Sequence, residues 1–371
     1  MLSNLSKFLP YSLCFFFFLV FGTIFSVSAI HWLPVWIGME INLIAFIPLM
    51  TNQGSTLESE SAIKYFIFQA LGSALFMLGA LLTFGGQFSW NISFSYTSEL
   101  MQTLLLTGLL IKMGGFPTHF WLPSVASGLT WTSNMILFIW QKIAPIFLMF
   151  SVISHASFPP ILSFTLLMSA VSGMIGALGG LNQTQIRALL AYSSISHLGW
   201  MTFSCTLTKM SLKIYFFSYM LISISIMALS WWMEIKLIKT TSSILLKTNP
   251  SLQPLMLLFF LSLGGLPPLL GFIPKWIIMY SSINNINMLT LLTLIISSLI
   301  SLFYYLSLIL ATFFPSTTHF TNHFNTLTPS STKFFSIVTS TFIMMNLFGM
   351  IIIFNMVMMK QMYAMGFFYK P

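Results

Sequence analysis

Acidic residues are almost missing from this chain. Of 371 residues, 5 are Asp or Glu, none is Asp, and charged residues of both signs make up 5%. A soluble chain carries about 25% charged residues, so a soluble domain with a core of its own is excluded. Arginine occurs once, as Arg187, and the 14 basic residues form no basic helix face or cluster. The net charge of +9 therefore does not mark a nucleic-acid partner. Cys14 and Cys205 both lie in apolar segments, which excludes a disulfide framework and a cysteine metal site. No phosphate-cradling glycine loop, nucleophile–base set, Cys/His metal spacing or haem motif is found. Nicotinamide and flavin thus have no recognised binding element here.

Long apolar runs take the place of charge. Hydrophobic residues make up 57% of the chain, and mean hydropathy is +0.93. A bilayer span needs about 20 apolar residues. Counting such runs predicts an all-α polytopic membrane protein with about eleven spans, near 10–30, 32–50, 62–85, 100–123, 131–154, 160–181, 184–206, 210–233, 252–283, 287–313 and 334–358. Lys7 followed by Tyr11–Phe21 has the look of a signal peptide, but no small-residue cleavage site follows, so the segment is taken as the first helix. The chain is read as a single membrane domain, 1–371. Its longest connections are 234–251 and the polar 314–333, which holds His319 and His323. Heavy use of Phe (39) and Met (26) is compatible with an AT-rich organellar gene and no import step.

Basic residues predict orientation. With sides alternating from the N-terminus, one side collects Lys7, Lys64, Arg187, Lys236, Lys239, Lys247 and Lys333, the other Lys209, Lys213, Lys360 and Lys370. The first side, with the N-terminus, is expected to face the matrix or cytoplasm. The odd span count then puts the C-terminus opposite. Arg187 itself is read as a topology anchor, and Glu58, Glu60 and Lys64 as a surface or subunit-contact patch.

Two spans share an abnormality. The fourth contains Lys112-Met113-Gly114-Gly115-Phe116-Pro117 and the ninth Gly264-Gly265-Leu266-Pro267-Pro268, with Gly114 and Gly264 150 residues apart. Proline and paired glycines break helices, and the freed backbone groups must then face protein or water. The spans lie five apart and so run in opposite directions, the pattern of an inverted repeat whose discontinuous helices mark a transport site. The repeat halves are 32–154 plus 160–181, and 184–313, with 10–30 and 334–358 peripheral. The alternative reading is an ordinary pair of proline kinks.

Four ionisable groups sit inside apolar runs. Each costs roughly 2.5–3.5 kcal/mol on insertion scales, so an ion or proton path is the default expectation. Lys112 lies thirteen residues after Glu99, roughly 20 Å along a helix and too deep to snorkel easily. The freed carbonyls beside it are candidates to hold a cation or water. Glu40, the one acid inside a span, is its natural partner; a static salt bridge that fixes packing is the alternative. Lys142 has no acid in its own helix, and a lysine that can exist neutral can accept and release a proton. Lys275 lies in the second half of the ninth span, or near an interface if the break shifts it. His119 and His197 are secondary relay candidates, with ordinary packing histidines as the alternative.

These residues fall in motifs that together resemble a known family. Trp36-Ile37-Gly38-Met39-Glu40-Ile41-Asn42, Lys112-Met113-Gly114-Gly115-Phe116-Pro117 and His119-Phe120-Trp121-Leu122-Pro123 are similar to helices of the NADH dehydrogenase subunit 2 family, antiporter-like membrane subunits of respiratory complex I. The resemblance runs on through Trp140-Gln141-Lys142-Ile143-Ala144-Pro145, Ser196-His197-Leu198-Gly199-Trp200 and Gly271-Phe272-Ile273-Pro274-Lys275-Trp276, covering roughly residues 30–280 in order. It implies two inverted five-helix units and a proton-translocating channel in which Glu40 pairs with Lys112, Lys142 is the central relay and Lys275 the exit-side relay. It also implies a multi-pass protein of the mitochondrial inner membrane, an obligate hetero-oligomer with other membrane-arm subunits and with lipids around it. NADH, FMN, iron–sulfur clusters and ubiquinone would belong to those partners. One departure is Ser124, where many relatives carry an acid after the Trp-x-Pro. A free-standing cation/proton antiporter and a non-conducting scaffold remain the competing functions.

Overall fold

The computed structural model describes residues 11–87, 90, 99–155, 159–232, 252–267, 269–282 and 288–313. The expected eleventh span, both long polar connections, Lys7 and Pro268 lie outside them. Every described element is helical: α1 (Ser12–Ser28), α2 (Trp32–Met50), α3 (Thr56–Gln87), α4 (Glu99–Met113), α5 (Trp121–Gly128), α6 (Trp131–Met135), α7 (Gln141–His155), α8 (Pro159–Gly180), α9 (Ile186–Cys205), α10 (Lys209–Trp232), α11 (Leu252–Gly264), α12 (Phe272–Ser282) and α13 (Met288–Phe313). Among the described residues, six stretches are long and apolar enough to cross a membrane, and α1 and most of α11 are shorter apolar helices.

Consecutive helices pair, α1 with α2, α3 with α4 and α8 with α9, and α8 also packs against the distant α13. Lipid supplies no hydrophobic drive between helices, so close approach depends on small residues. A Cβ added at Gly176 in α8 would lie 2.3 Å from the Ser196 backbone nitrogen of α9, and one at Gly199 2.8 Å from that of Gly173. Gly22 and Gly38 join α1 to α2, and Gly72 and Gly108 join α3 to α4, in the same way. Gly176→Val is expected to push α8 and α9 apart at a cost of about 1–3 kcal/mol or more. The yield and melting temperature of the folded protein would both fall; an unchanged yield would refute the contact.

Most serines and threonines inside the helices donate back to a carbonyl three residues earlier, as Ser169, Ser194 and Thr202 do. Their hydroxyls are thereby satisfied without water.

The third helix starts six residues before its expected span, at Thr56, and the reason is a cap. Ser55 Oγ accepts from the Glu58 backbone N–H at 3.3 Å, and Glu58 Oε2 accepts from the Gln53 N–H at 3.1 Å, a variant of the capping box. Glu58 is accordingly 2% exposed, which corrects its reading as a surface residue. Glu60 and Lys64 do form an exposed pair one turn apart. Arg187, expected as an anchor, donates to the carbonyls of Leu129 and Ser127 and lies over the Trp131 ring. It ties the start of α9 to the α5–α6 link.

Candidate functional site

Both expected breaks are present, and both are built the same way. After α4, the Gly115 N–H donates to the Leu110 carbonyl (2.9 Å) and the Gly114 N–H to Ile111 (3.1 Å). After α11, the Leu266 N–H donates to Leu261 (3.3 Å) and the Gly265 N–H to Ser262 (3.1 Å). These paired 6→1 and 5→2 bonds are the Schellman cap, whose pivotal residue is left-handed and usually Gly. The pivots are Gly114 (φ 78°) and Gly265 (φ 80°). The sequence match of Gly114 with Gly264 is therefore one residue out of conformational register. Gly115 and Gly264 keep φ values that other residues adopt.

The freed carbonyls differ from expectation. At the first break, Trp121 Nε1 donates to the Ile111 carbonyl (3.2 Å) and Gln69 Nε2 to the Lys112 carbonyl (3.0 Å). Both acceptors thus have side-chain donors, which matters because an unpaired carbonyl away from water costs several kcal/mol. At the second break the cap is a lysine: Lys275 Nζ donates to the Gly264 carbonyl at 2.8 Å. Lys275 is 6% exposed, buried within the protein. Pro117 and Pro267 follow the two caps, where a residue that cannot continue a helix belongs.

Glu40 and Lys112 come together as read. Lys112 Nζ lies 3.8 Å from Glu40 Oε1, with the two side chains 4% and 24% exposed. That is a charge contact too long for a direct hydrogen bond. At an effective dielectric of about 20 the gross attraction is roughly 4 kcal/mol, and desolvating both groups costs as much or more. Stability alone does not account for such a pair.

Lys142 is 1% exposed and sits between the two apolar clusters of the interior. Phe138 of the first cluster lies 6.0 Å from its ammonium and the Tyr219 ring of the second 5.1 Å. Its polar partners are distant ones, the Ser194 carbonyl at 3.4 Å and the Tyr219 hydroxyl at 3.5 Å. The turn just before it, Ile136–Trp140, is π-helical, a form that recurs at functional sites. Pro145 removes a further ladder bond beyond it.

His197 joins this group and His119 does not. His197 Nδ1 lies 2.8 Å from the Tyr215 hydroxyl, and its ring is 5.3 Å from that of Tyr219. Lys142 and Lys275 are both within electrostatic reach of it. His119 stays in the break loop, with Nδ1 3.2 Å from the Pro117 carbonyl and its ring against Phe120. Gln141, next to Lys142 in sequence, donates from Nε2 to Asn42 Oδ1 at 2.9 Å and ties α7 to α2.

Tyr215, Tyr219, Gln69, Asn42 and Gln141 were not among the residues singled out from sequence. Asn42 and Gln141 had a signal, being polar residues beside the charges in Glu40-Ile41-Asn42 and Gln141-Lys142. Among the described residues no cluster of three His, Cys, Asp or Glu side chains stands in metal-binding array.

Two broken helices with capped ends and three buried lysines are the features of an antiporter-like membrane protein. Residues 29–301 match the family model described as NADH:quinone oxidoreductase/Mrp antiporter, TM, and the chain belongs to that family. A subunit of respiratory complex I from Thermus thermophilus superposes with a TM-score of 0.76 at 27% identity, over 89% of this chain and 76% of its own. A chain of the Mrp complex from Dietzia sp. has the same fold, with a TM-score of 0.74 at 18% identity, over 81% of this chain and 61% of its own. At closer range the chain is similar to NADH-ubiquinone oxidoreductase chain 2. The Anopheles gambiae protein of that name is 41% identical over 79% of this chain and 83% of its own length. The Locusta migratoria protein is 38% identical over 78% and 81%.

Proposed function

We propose that this chain is the proton-translocating, antiporter-like subunit of respiratory complex I, a multi-pass protein of the mitochondrial inner membrane. The observation that carries the reading is the set of three buried lysines, of which, among the described residues, only Lys112 has an acid beside it. Glu40 and Lys112 form the input pair, Lys142 the central relay and Lys275 the exit-side relay, with His197 between the last two. His119, confined to its loop, is outside the route. Residues 32–154 plus 160–181 and 184–313 are the two inverted halves. The N-terminus faces the matrix and the C-terminus the intermembrane space, following the distribution of basic residues.

Electron transfer belongs to partner subunits, which hold NADH, FMN, iron–sulfur clusters and ubiquinone. Quinone reduction there moves the Glu40–Lys112 pair apart or together. That motion changes the electrostatic field at Lys142 and so alters how tightly Lys142 holds its proton. Moving one proton against about 180 mV costs roughly 4 kcal/mol, similar to the gross attraction within the pair.

The test is Lys112→Met, with NADH-driven proton uptake followed in sealed vesicles beside the amount of assembled complex. Uptake per complex is expected to fall several-fold while assembly is retained. A non-conducting scaffold would instead lose assembly and keep the uptake of whatever complex forms. A free-standing cation/proton antiporter would exchange cations for protons as the isolated chain in liposomes; this subunit is expected to be inactive there.

A further inference from the structure

We propose that Tyr219 is the proton-carrying link between Lys142 and His197, and that Tyr215 holds His197 in the tautomer that receives the proton. The inference rests on Lys142 lying on the proton route. Four groups surround the Lys142 ammonium: the Phe138 ring, the Tyr219 ring, the Ser194 carbonyl and the Tyr219 hydroxyl. A ring passes no proton, and a carbonyl accepts a hydrogen bond but has no proton to hand on. The Ser194 hydroxyl gives its own proton to the Ala191 carbonyl at 2.7 Å and so meets Tyr219 as an acceptor only. Of these groups the Tyr219 hydroxyl alone can accept on one side and donate on the other.

The imidazole of His197 lies beside that tyrosine, with ring centroids 5.3 Å apart. Its Nδ1 is taken by the Tyr215 hydroxyl at 2.8 Å. When Nδ1–H donates to the Tyr215 oxygen, Nε2 keeps its lone pair and is free to accept. The step then balances without any electron transfer. A Lys142 Nζ–H bond breaks and that proton binds Tyr219 Oη, while the proton already on Oη leaves for His197 Nε2. Lys142 ends as a neutral amine, Tyr219 as a neutral phenol and His197 as an imidazolium. The imidazolium then holds the proton for its onward passage toward Lys275. Passing the proton through a hydroxyl avoids a buried phenolate. The long contacts at 3.4 and 3.5 Å leave the ammonium loosely held, as a carrier requires.

The experiment compares Tyr219→Phe, Tyr219→His and Tyr215→Phe with Lys142→Met in the whole complex. Proton uptake, quinone reduction and assembly are measured across pH. Tyr219→Phe keeps the aromatic ring over Lys142 and removes only the hydroxyl. It is expected to assemble normally and to lose proton uptake by about tenfold or more, on the scale of a lost acid–base group. Tyr219→His, which restores a group able to accept and donate, is expected to pump faster than Tyr219→Phe. Tyr215→Phe is expected to shift the pH profile of uptake, because His197 loses the partner that fixes its tautomer. Normal pumping by Tyr219→Phe beside an impaired Lys142→Met overturns the link and leaves the lysine route standing. Normal pumping by both removes the route itself. Better pumping by Phe than by His at 219, or failure of Tyr219→Phe to assemble, assigns the tyrosine to packing and overturns the proposal.

Discussion

Lys142→Met is expected to leave the complex assembled and to cut NADH-driven proton uptake at least tenfold. Methionine has a similar stem and fills the same space between Phe138 and Tyr219. The polar ties that are lost are weak ones at 3.4 and 3.5 Å. Removing a buried cation also relieves roughly 2.5–3.5 kcal/mol of insertion cost, so the yield of assembled protein should hold or rise. Transport is different, because a thioether can neither take up nor release a proton. Lys142→Arg separates charge from exchange: a guanidinium keeps the positive charge but does not deprotonate in proteins, so it should not restore uptake. Native electrophoresis gives assembly, and a pH-sensitive dye in sealed vesicles gives uptake. A fully assembled Lys142→Met complex that pumps at the normal rate would make this lysine structural and the route wrong.

Lys275→Met should behave otherwise, losing both assembly and pumping. The Lys275 ammonium holds the Gly264 carbonyl at 2.8 Å, and a hydrogen bond to a charged group is worth about 1.5–3 kcal/mol. Without it the end of α11 carries an unpaired carbonyl at membrane depth, where water is not at hand to replace the donor. Lys275→Arg is the informative companion. It supplies a donor to the same carbonyl and should recover assembly, but its fixed charge should leave proton uptake low. Two lysines of the same set are thus expected to separate: one dispensable for the fold, the other needed by it. If Lys275→Met assembles as well as the unaltered chain, the capping role is wrong. If Lys275→Arg pumps normally, the relay role is.

The charged residues and both breaks could be read from sequence because each violates a strong rule. An ion in an apolar run and a Gly-Gly-x-Pro inside a span are costly, and cost makes them visible. What could not be read is what costs nothing by itself. Ile136–Trp140 is apolar throughout, and no residue in it marks a π turn rather than an α turn. Tyr215 and Tyr219 sit at the spacing of any packed helix face, so their contacts with His197 and Lys142 emerge only when α7, α9 and α10 are brought together. Gln69 lies 43 residues from the carbonyl it caps. The Gly-Gly pairs told where the chain turns but not which glycine turns it. Glu58 was grouped with Glu60 and Lys64 as a surface or subunit-contact patch because the three cluster at the start of a span, whereas the fold uses it to close a helix start.

The π turn before Lys142 also bears on how this helix tolerates changes in length. A π turn accommodates one more residue than an α turn without displacing the chain on either side. In an ordinary membrane helix, loss of one residue swings everything beyond it by about 100° and draws it about 1.5 Å along the axis. Within Ile136–Trp140 the surplus residue is already looped out. Removing Leu137 would let the turn relax to α-helix, with Trp131 and Lys142 keeping their bearings. The five residues ahead of the central lysine are thus a slack point in the helix, where an insertion or deletion need not turn the lysine away from its neighbours.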